Sequence, residues 1–202
     1  MKKFGLSLLS LVPALFLIVA VYPSLQASAY QVMPVVLGIL AYSFMLNALF
    51  LASRPNWVSR WLGMTVIYRG HMAMGIGTVV LAILHKSFTL TQEVNFTTMV
   101  GFFGLVLLVV IGLFSMLFLN GDLKAHVAWI RQLNRKLAGV LPHRRVMVVH
   151  RLNLVAILLI FCHVSSMAVF RQNVLFYVSF VLLTLVAVIS FIHRKVKVSR
   201  VN

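Results

Sequence analysis

The sequence predicts an all-α integral membrane protein, a six-helix bundle with both termini cytoplasmic. Three observations predict it. The 202 residues are 62% hydrophobic, against roughly 45–50% in a soluble domain, with a mean hydropathy of +1.04. Six apolar runs are each long enough to cross a hydrocarbon core about 30 Å thick. The 18 basic residues also fall unevenly along the chain. If six spans alternate, all but Lys86 and Arg171 lie on one side, and the positive-inside bias makes that side the cytoplasm.

In chain order the spans are read at about 4–22, 31–53, 70–92, 97–119, 146–170 and 173–193. Lys2 and Lys3 precede the first, which runs towards Ala27-Ser28-Ala29, an A-x-A-like pattern that also fits a cleavable signal peptide. The apolar run is long for a signal, so retention of the first helix is favoured, and the later helices keep their orientation either way. Pro23 to Tyr30 separates the first two spans, and the basic stretch Arg54 to Arg69 separates the next two. A polar turn at Thr91 to Asn95 leads into the fourth span. The long basic loop Asn120 to Arg145 precedes the fifth, and a tight link at Arg171 and Gln172 joins it to the sixth. The chain reads as one domain, residues 1–202.

Within the long loop, Leu123, Val127, Ile130, Leu133 and Leu137 recur at helical spacing, while Lys124, Arg131, Arg135 and Lys136 occupy mostly the remaining face. The segment Asp122 to Val140 therefore reads as an amphipathic helix. Anionic membrane lipids or a soluble partner would suit its basic face.

Charge and composition exclude several functions. A net charge of +16 suits nucleic acid in principle, but these cations sit in loops and at helix ends, so no nucleic acid is expected. Glu93 and Asp122 are the only carboxylates, too few for acid–base pairs, carboxylate metal sites or an intramembrane proton relay. Cys162 is the single cysteine and reads as a small packing residue.

Four histidines within the apolar spans carry the functional signal. His71 and His85 are fourteen residues apart, and His150 and His163 thirteen, so each spacing covers roughly 20 Å of helix. The third and fifth spans run the same way, which matches His71 with His150 near the cytoplasmic side and His85 with His163 towards the outside. Neutral imidazoles from facing helices can supply both axial ligands of a haem iron. Helical phase supports one pair of positions: fourteen steps return within about 40° of the starting face, whereas thirteen leave His150 and His163 roughly 140° apart. That second pair needs a winding change, a rotated helix, or haems on different sides.

A lone histidine would read as a hydrogen-bonded packing residue, but two depth-matched pairs do not. Zinc competes poorly, because helical ligands for one ion sit three or four residues apart. His126, His143 and His193 are expected at solvent or the membrane interface. Gly70, Gly75 and Gly77 would allow close approach of a helix or a haem. Arg69 and Arg151, beside the cytoplasmic-side histidine positions, could pair with haem propionates as well as anchor the topology.

The stretch Arg54-Pro55-Asn56-Trp57, Trp61-Leu62-Gly63 and Tyr68-Arg69-Gly70-His71, with His85 beyond, resembles the third-helix region of ferric reductase-like transmembrane domains. Arg144-Arg145 leading to His150-Arg151-Leu152 and His163 resembles the fifth-helix region of the same family. The family includes NADPH oxidases, metalloreductases and bacterial relatives. The resemblance implies two b-type haems, the inner held by His71 and His150 and the outer by His85 and His163. It also implies electrons passing from cytoplasmic NAD(P)H and flavin (FAD or FMN) to an extracytoplasmic acceptor such as ferric iron, oxygen or a redox protein.

Larger relatives continue into flavin and nicotinamide domains, whereas this sequence ends at Asn202 and shows no dinucleotide fingerprint. A separate cytoplasmic flavin reductase is therefore the expected partner, and the chain an oxidoreductase subunit of the inner membrane. The alternative is a haem-binding or docking membrane subunit of a periplasmic reductase, such as a methionine sulfoxide reductase system.

Overall fold

The computed structural model describes residues 2–26, 32–89 and 95–199. The A-x-A-like pattern at Ala27-Ser28-Ala29 and the carboxylate Glu93 lie outside the described residues. The described elements are all helical: α1 (Lys2–Gln26), α2 (Val32–Ser53), α3 (Asn56–Leu62), α4 (Met64–Ser87), α5 (Phe96–Leu119), α6 (Gly121–His126), α7 (Ala128–Leu137), α8 (His143–Arg151), α9 (Asn153–Ser166), α10 (Ala168–Gln172) and α11 (Val174–Ser199). Six segments are long and apolar enough to cross a membrane: Gly5–Gln26, Val32–Ser53, Met64–Ser87, Phe96–Leu119, His143–Ser166 and Val174–Arg194. The architecture is multi-pass and membrane-spanning. Backbone polar groups satisfied within each helix are what the hydrocarbon demands.

Helix α2 is the hub, packed along α4 and also against α1 and α11, while α5 packs along α8 and α9. The main core joins Leu17, Val21 and Leu25 of α1, Ile39 and Tyr42 of α2, Ala156 and Ile157 of α9, and Phe176 and Phe180 of α11. Outward faces stay apolar, as at Val19, Phe103, Leu158 and Ile189, where lipid rather than water is the solvent.

Several expected boundaries move. The third span begins at Met64 rather than residue 70. Gly63, at φ 82 and ψ 155, ends α3 and starts α4 at once, a backbone conformation that side chains resist. The polar residues Thr65, Tyr68 and Arg69 then continue the helix. Ahead of it, Arg54 takes a left-handed φ of 48° at the end of α2, and Pro55 leads into α3, where the sequence reads as loop.

The fifth span is not one helix over 146–170. It begins at His143 after Pro142, is interrupted at Leu152, and ends where Met167 turns extended at φ −82 and ψ 120. The short α10 follows, so the link to the sixth span falls at Asn173 rather than at Arg171 and Gln172.

The amphipathic segment Asp122 to Val140 is likewise two helices, α6 and α7, broken where Val127 turns extended at φ −111 and ψ 104. Its apolar stripe is nevertheless the sheltered side: Ile130 is buried, and Leu123, Val127, Leu133 and Leu137 are half-buried. Asn134 donates to the Leu117 carbonyl at 3.0 Å, and the Lys124 ammonium donates to the Phe118 carbonyl, tying the segment to the end of α5.

Candidate functional site

All four intramembrane histidines are half-buried, and each holds Nδ1 at hydrogen-bonding distance from an oxygen on a neighbouring helix. His71 Nδ1 lies 2.8 Å from the Ala48 carbonyl and His85 Nδ1 lies 2.7 Å from the Pro34 carbonyl, both on α2. His163 Nδ1 lies 2.8 Å from the Thr97 carbonyl, and His150 Nδ1 lies 2.8 Å from the Ser115 hydroxyl, both on α5. A carbonyl can only accept. Histidines 71, 85 and 163 therefore donate through Nδ1–H, and as neutral rings they keep the lone pair on Nε2.

Antiparallel packing sets the matching. Ala48 and Pro34 are separated by the same fourteen residues as His71 and His85, so α2 offers its carbonyls at the depths where α4 presents its rings. On the other flank, α5 serves His150 near its C-terminal end and His163 near its start.

One pair of rings comes together directly, and the other two share a cavity. His71 and His150 have centroids 5.9 Å apart with planes at 75°. Two imidazoles bound on opposite sides of one metal ion, through metal–nitrogen bonds of about 2 Å each, have centroids roughly 6 Å apart. With His71 anchored to α2 and His150 to α5, Nε2 is the nitrogen left on each ring.

His85 and His163 line one cavity among α1, α2, α4, α5, α9, α10 and α11. Its walls are mostly apolar, with Tyr42, Phe176 and Phe180 on one side and the half-buried Lys86 near the histidines. Tyr42 and Phe180 pack with centroids 4.8 Å apart, and Phe161 stacks on Phe180 at 5.2 Å.

The phase problem in the fifth span meets the break at Leu152. The Leu152 N–H reaches the Val149 carbonyl at 3.0 Å, and the Val155 N–H reaches Leu152 at 2.9 Å. These three-residue steps wind more tightly than α-helix. They alter the rotation between His150 and His163, so the thirteen-residue spacing does not act on one ideal helix.

Arg69 and Arg151 are both exposed, beside the His71 and His150 positions. His126, His143 and His193 are also exposed. Of the glycines singled out in the third span, Gly70 faces Leu6 and Leu51, Gly77 faces Phe44, and Gly75 has open space. The glycines that meet histidines are Gly38 and Gly101, against His85 and His163. Sequence reasoning missed these two, and Ser115 with them.

Among the described residues, no three His, Cys, Asp or Glu side chains gather as a metal cluster. Zinc sites use three or four protein ligands. A pair of neutral imidazoles with free Nε2 atoms suits instead a metal whose other positions are filled by its own macrocycle. No protein-family model, curated protein or solved structure matches the chain.

Proposed function

We propose that this chain conducts electrons across the membrane through two haem b groups, the inner held by His71 and His150 and the outer by His85 and His163. The observation that carries this reading is the shared state of the imidazoles. Two of the four rings, His71 and His150, meet directly, His85 and His163 line one cavity, and each ring has Nδ1 committed to a neighbouring helix. Hydrogen bonds of that kind fix the ring and strengthen the other nitrogen as a ligand.

Haem at each pair would supply a one-electron ferric–ferrous couple within the hydrocarbon. The chain's part is to hold and insulate. Tyr42, Phe176 and Phe180 with the surrounding aliphatic side chains shield the outer site. Lys86 offers a propionate partner there, as Arg69 and Arg151 do beside the inner pair.

Direction follows from charge. The first pair lies at the end of the bundle flanked by Arg54, Arg60, Arg69, Arg144 and Arg145, which the positive-inside bias assigns to the cytoplasm of a plasma membrane. Electrons would enter there from a flavoprotein oxidising NAD(P)H, for which the exposed cations of α7, Arg131, Arg135 and Lys136, are a docking candidate. They would leave by way of the outer pair to ferric iron, oxygen or a redox protein.

The test is a haem assay on protein purified from haem-replete cells. The reading expects a reducible b-type spectrum and close to two haems per chain. A folded, colourless preparation would overturn it and favour a docking subunit that carries no electrons.

A further inference from the structure

The two histidines that line the cavity rest on glycines. A Cβ added at Gly38 would stand 3.1 Å from His85 Nδ1 and 3.3 Å from its Cε1. One added at Gly101 would stand 2.7 Å from His163 Nδ1 and 2.9 Å from its Cε1. The carbonyls that accept from these rings belong to Pro34 and Thr97, each four residues before the glycine and hence one turn along the same helix.

This repetition has a simple cause. In an α-helix a carbonyl already accepts from the N–H four residues on, and its second lone pair remains for an outside donor. At these two places a Cβ on that fourth residue would meet the imidazole ring itself, at 3.1 Å for Gly38 and 2.7 Å for Gly101. With glycine at both places nothing blocks the ring. The inner site is built otherwise: His71 approaches the Ala48 carbonyl from a direction that accommodates Ala52, four residues on, and His150 uses the Ser115 hydroxyl rather than a carbonyl.

We propose that Gly38 and Gly101 are positioning residues of the outer site, seating His85 and His163 so that Nδ1–H is held on a main-chain carbonyl and Nε2 is set as the ligating nitrogen. This rests on the two-haem reading and adds to it a main-chain control of the outer ligands. Their missing side chains set the donor strength of both outer imidazoles, because an Nδ1–H bond to a carbonyl makes the ring a stronger ligand. The ferric state gains more than the ferrous from a stronger donor, so the seat holds the outer potential down.

The test compares Gly101→Ala and Gly38→Ala with Gly104→Ala in the full chain. Gly104 is a packing control on the same α5–α9 contact: the atoms nearest a Cβ there belong to Ile160 and Leu159, the closest Ile160 Cγ1 at 3.0 Å. Gly101→Ala is expected to weaken outer haem binding about tenfold or more, raise the outer midpoint potential, and change the outer low-spin ferric resonance while the inner signal stays. Gly38→Ala should act in the same direction and less, since its contact is longer. Gly104→Ala should leave both signals unchanged.

An unchanged outer potential and resonance in Gly101→Ala, or an equal effect from Gly104→Ala, would overturn the proposal. Ring-nitrogen resonances of the haem-free chain give a second reading. The proposal expects His163 as the Nδ1–H tautomer in the parent and a loss of that state in Gly101→Ala. If the parent binds no haem, the electron-transfer reading fails, and the tautomer measurement alone decides the seating.

Discussion

The inner and outer pairs use the same four-helix contact and differ in what holds the rings. At the outer site both imidazoles lean on backbone, with carbonyls from Pro34 and Thr97 and bare glycines beneath. At the inner site one ring leans on the Ala48 carbonyl and the other on the side chain of Ser115. A backbone acceptor is not removed by substitution, whereas a serine is. The outer rings are thus held by the fold and adjustable only through their seats, and the inner pair has one support that a single substitution can delete.

Removing a ring is the harshest way to break this comparison. His163→Ala or His85→Ala should reduce the haem content from two per chain to one, with the inner spectrum intact. His71→Ala or His150→Ala should do the reverse. Pyridine haemochrome stoichiometry with potentiometric titration reads both. Unchanged haem content in all four variants would break the ligand assignment, and loss of both haems from any one variant would show the sites to be a single cooperative unit.

A smaller effect is expected at Ser115. Ser115→Ala leaves His150 Nδ1 without its hydroxyl partner at a half-buried position, and loss of such an outer partner weakens metal binding by about 10–100-fold. The inner haem alone should bind more weakly in a titration of the haem-free chain. Ser115→Thr, which keeps the hydroxyl, should recover most of the affinity. An effect on the outer haem instead would show that α5 transmits distortion along its length.

How much of this was legible depends on which atoms carry the information. The six spans follow from hydropathy because a bilayer asks for about 20 apolar residues in a row. The end of α3 and start of α4 were hidden, because Gly63 decides them through φ and Thr65, Tyr68 and Arg69 look like loop. Leu152 and Met167 break the fifth span with no proline or glycine to announce it.

The histidines were visible by spacing, and their depth matching by charge. Their partners were not, since three of the four are carbonyls that every residue possesses. A glycine four residues after a histidine-binding carbonyl is a usable signal only once the register between α2 and α4, or α5 and α9, is known. That is why the sequence points to Gly75 and Gly77, on the histidine helix itself, and not to Gly38 and Gly101 on the opposing helices.

The mildest separation of the two sites lies at Asn173. Its side-chain amide donates to the Ala20 carbonyl at 2.8 Å and to Ser24 Oγ at 2.8 Å, and its oxygen accepts from the Phe176 N–H at 3.0 Å. These bonds pin α1 to the joint between α10 and α11. Phe170 and Phe176, on either side of that joint, both line the outer cavity. Interhelical hydrogen bonds in bilayers are worth about 0.6 kcal/mol on average and seldom above about 1.7. Asn173→Ala should therefore lower unfolding stability by about 1–2 kcal/mol in a detergent titration. The Phe170–Phe176 wall then has one fewer constraint, so outer haem should dissociate faster than in the parent, while the inner off-rate stays the same because the joint does not reach His71 or His150. Equal acceleration at both sites would mean that α1 and α11 brace the whole bundle rather than its outer half.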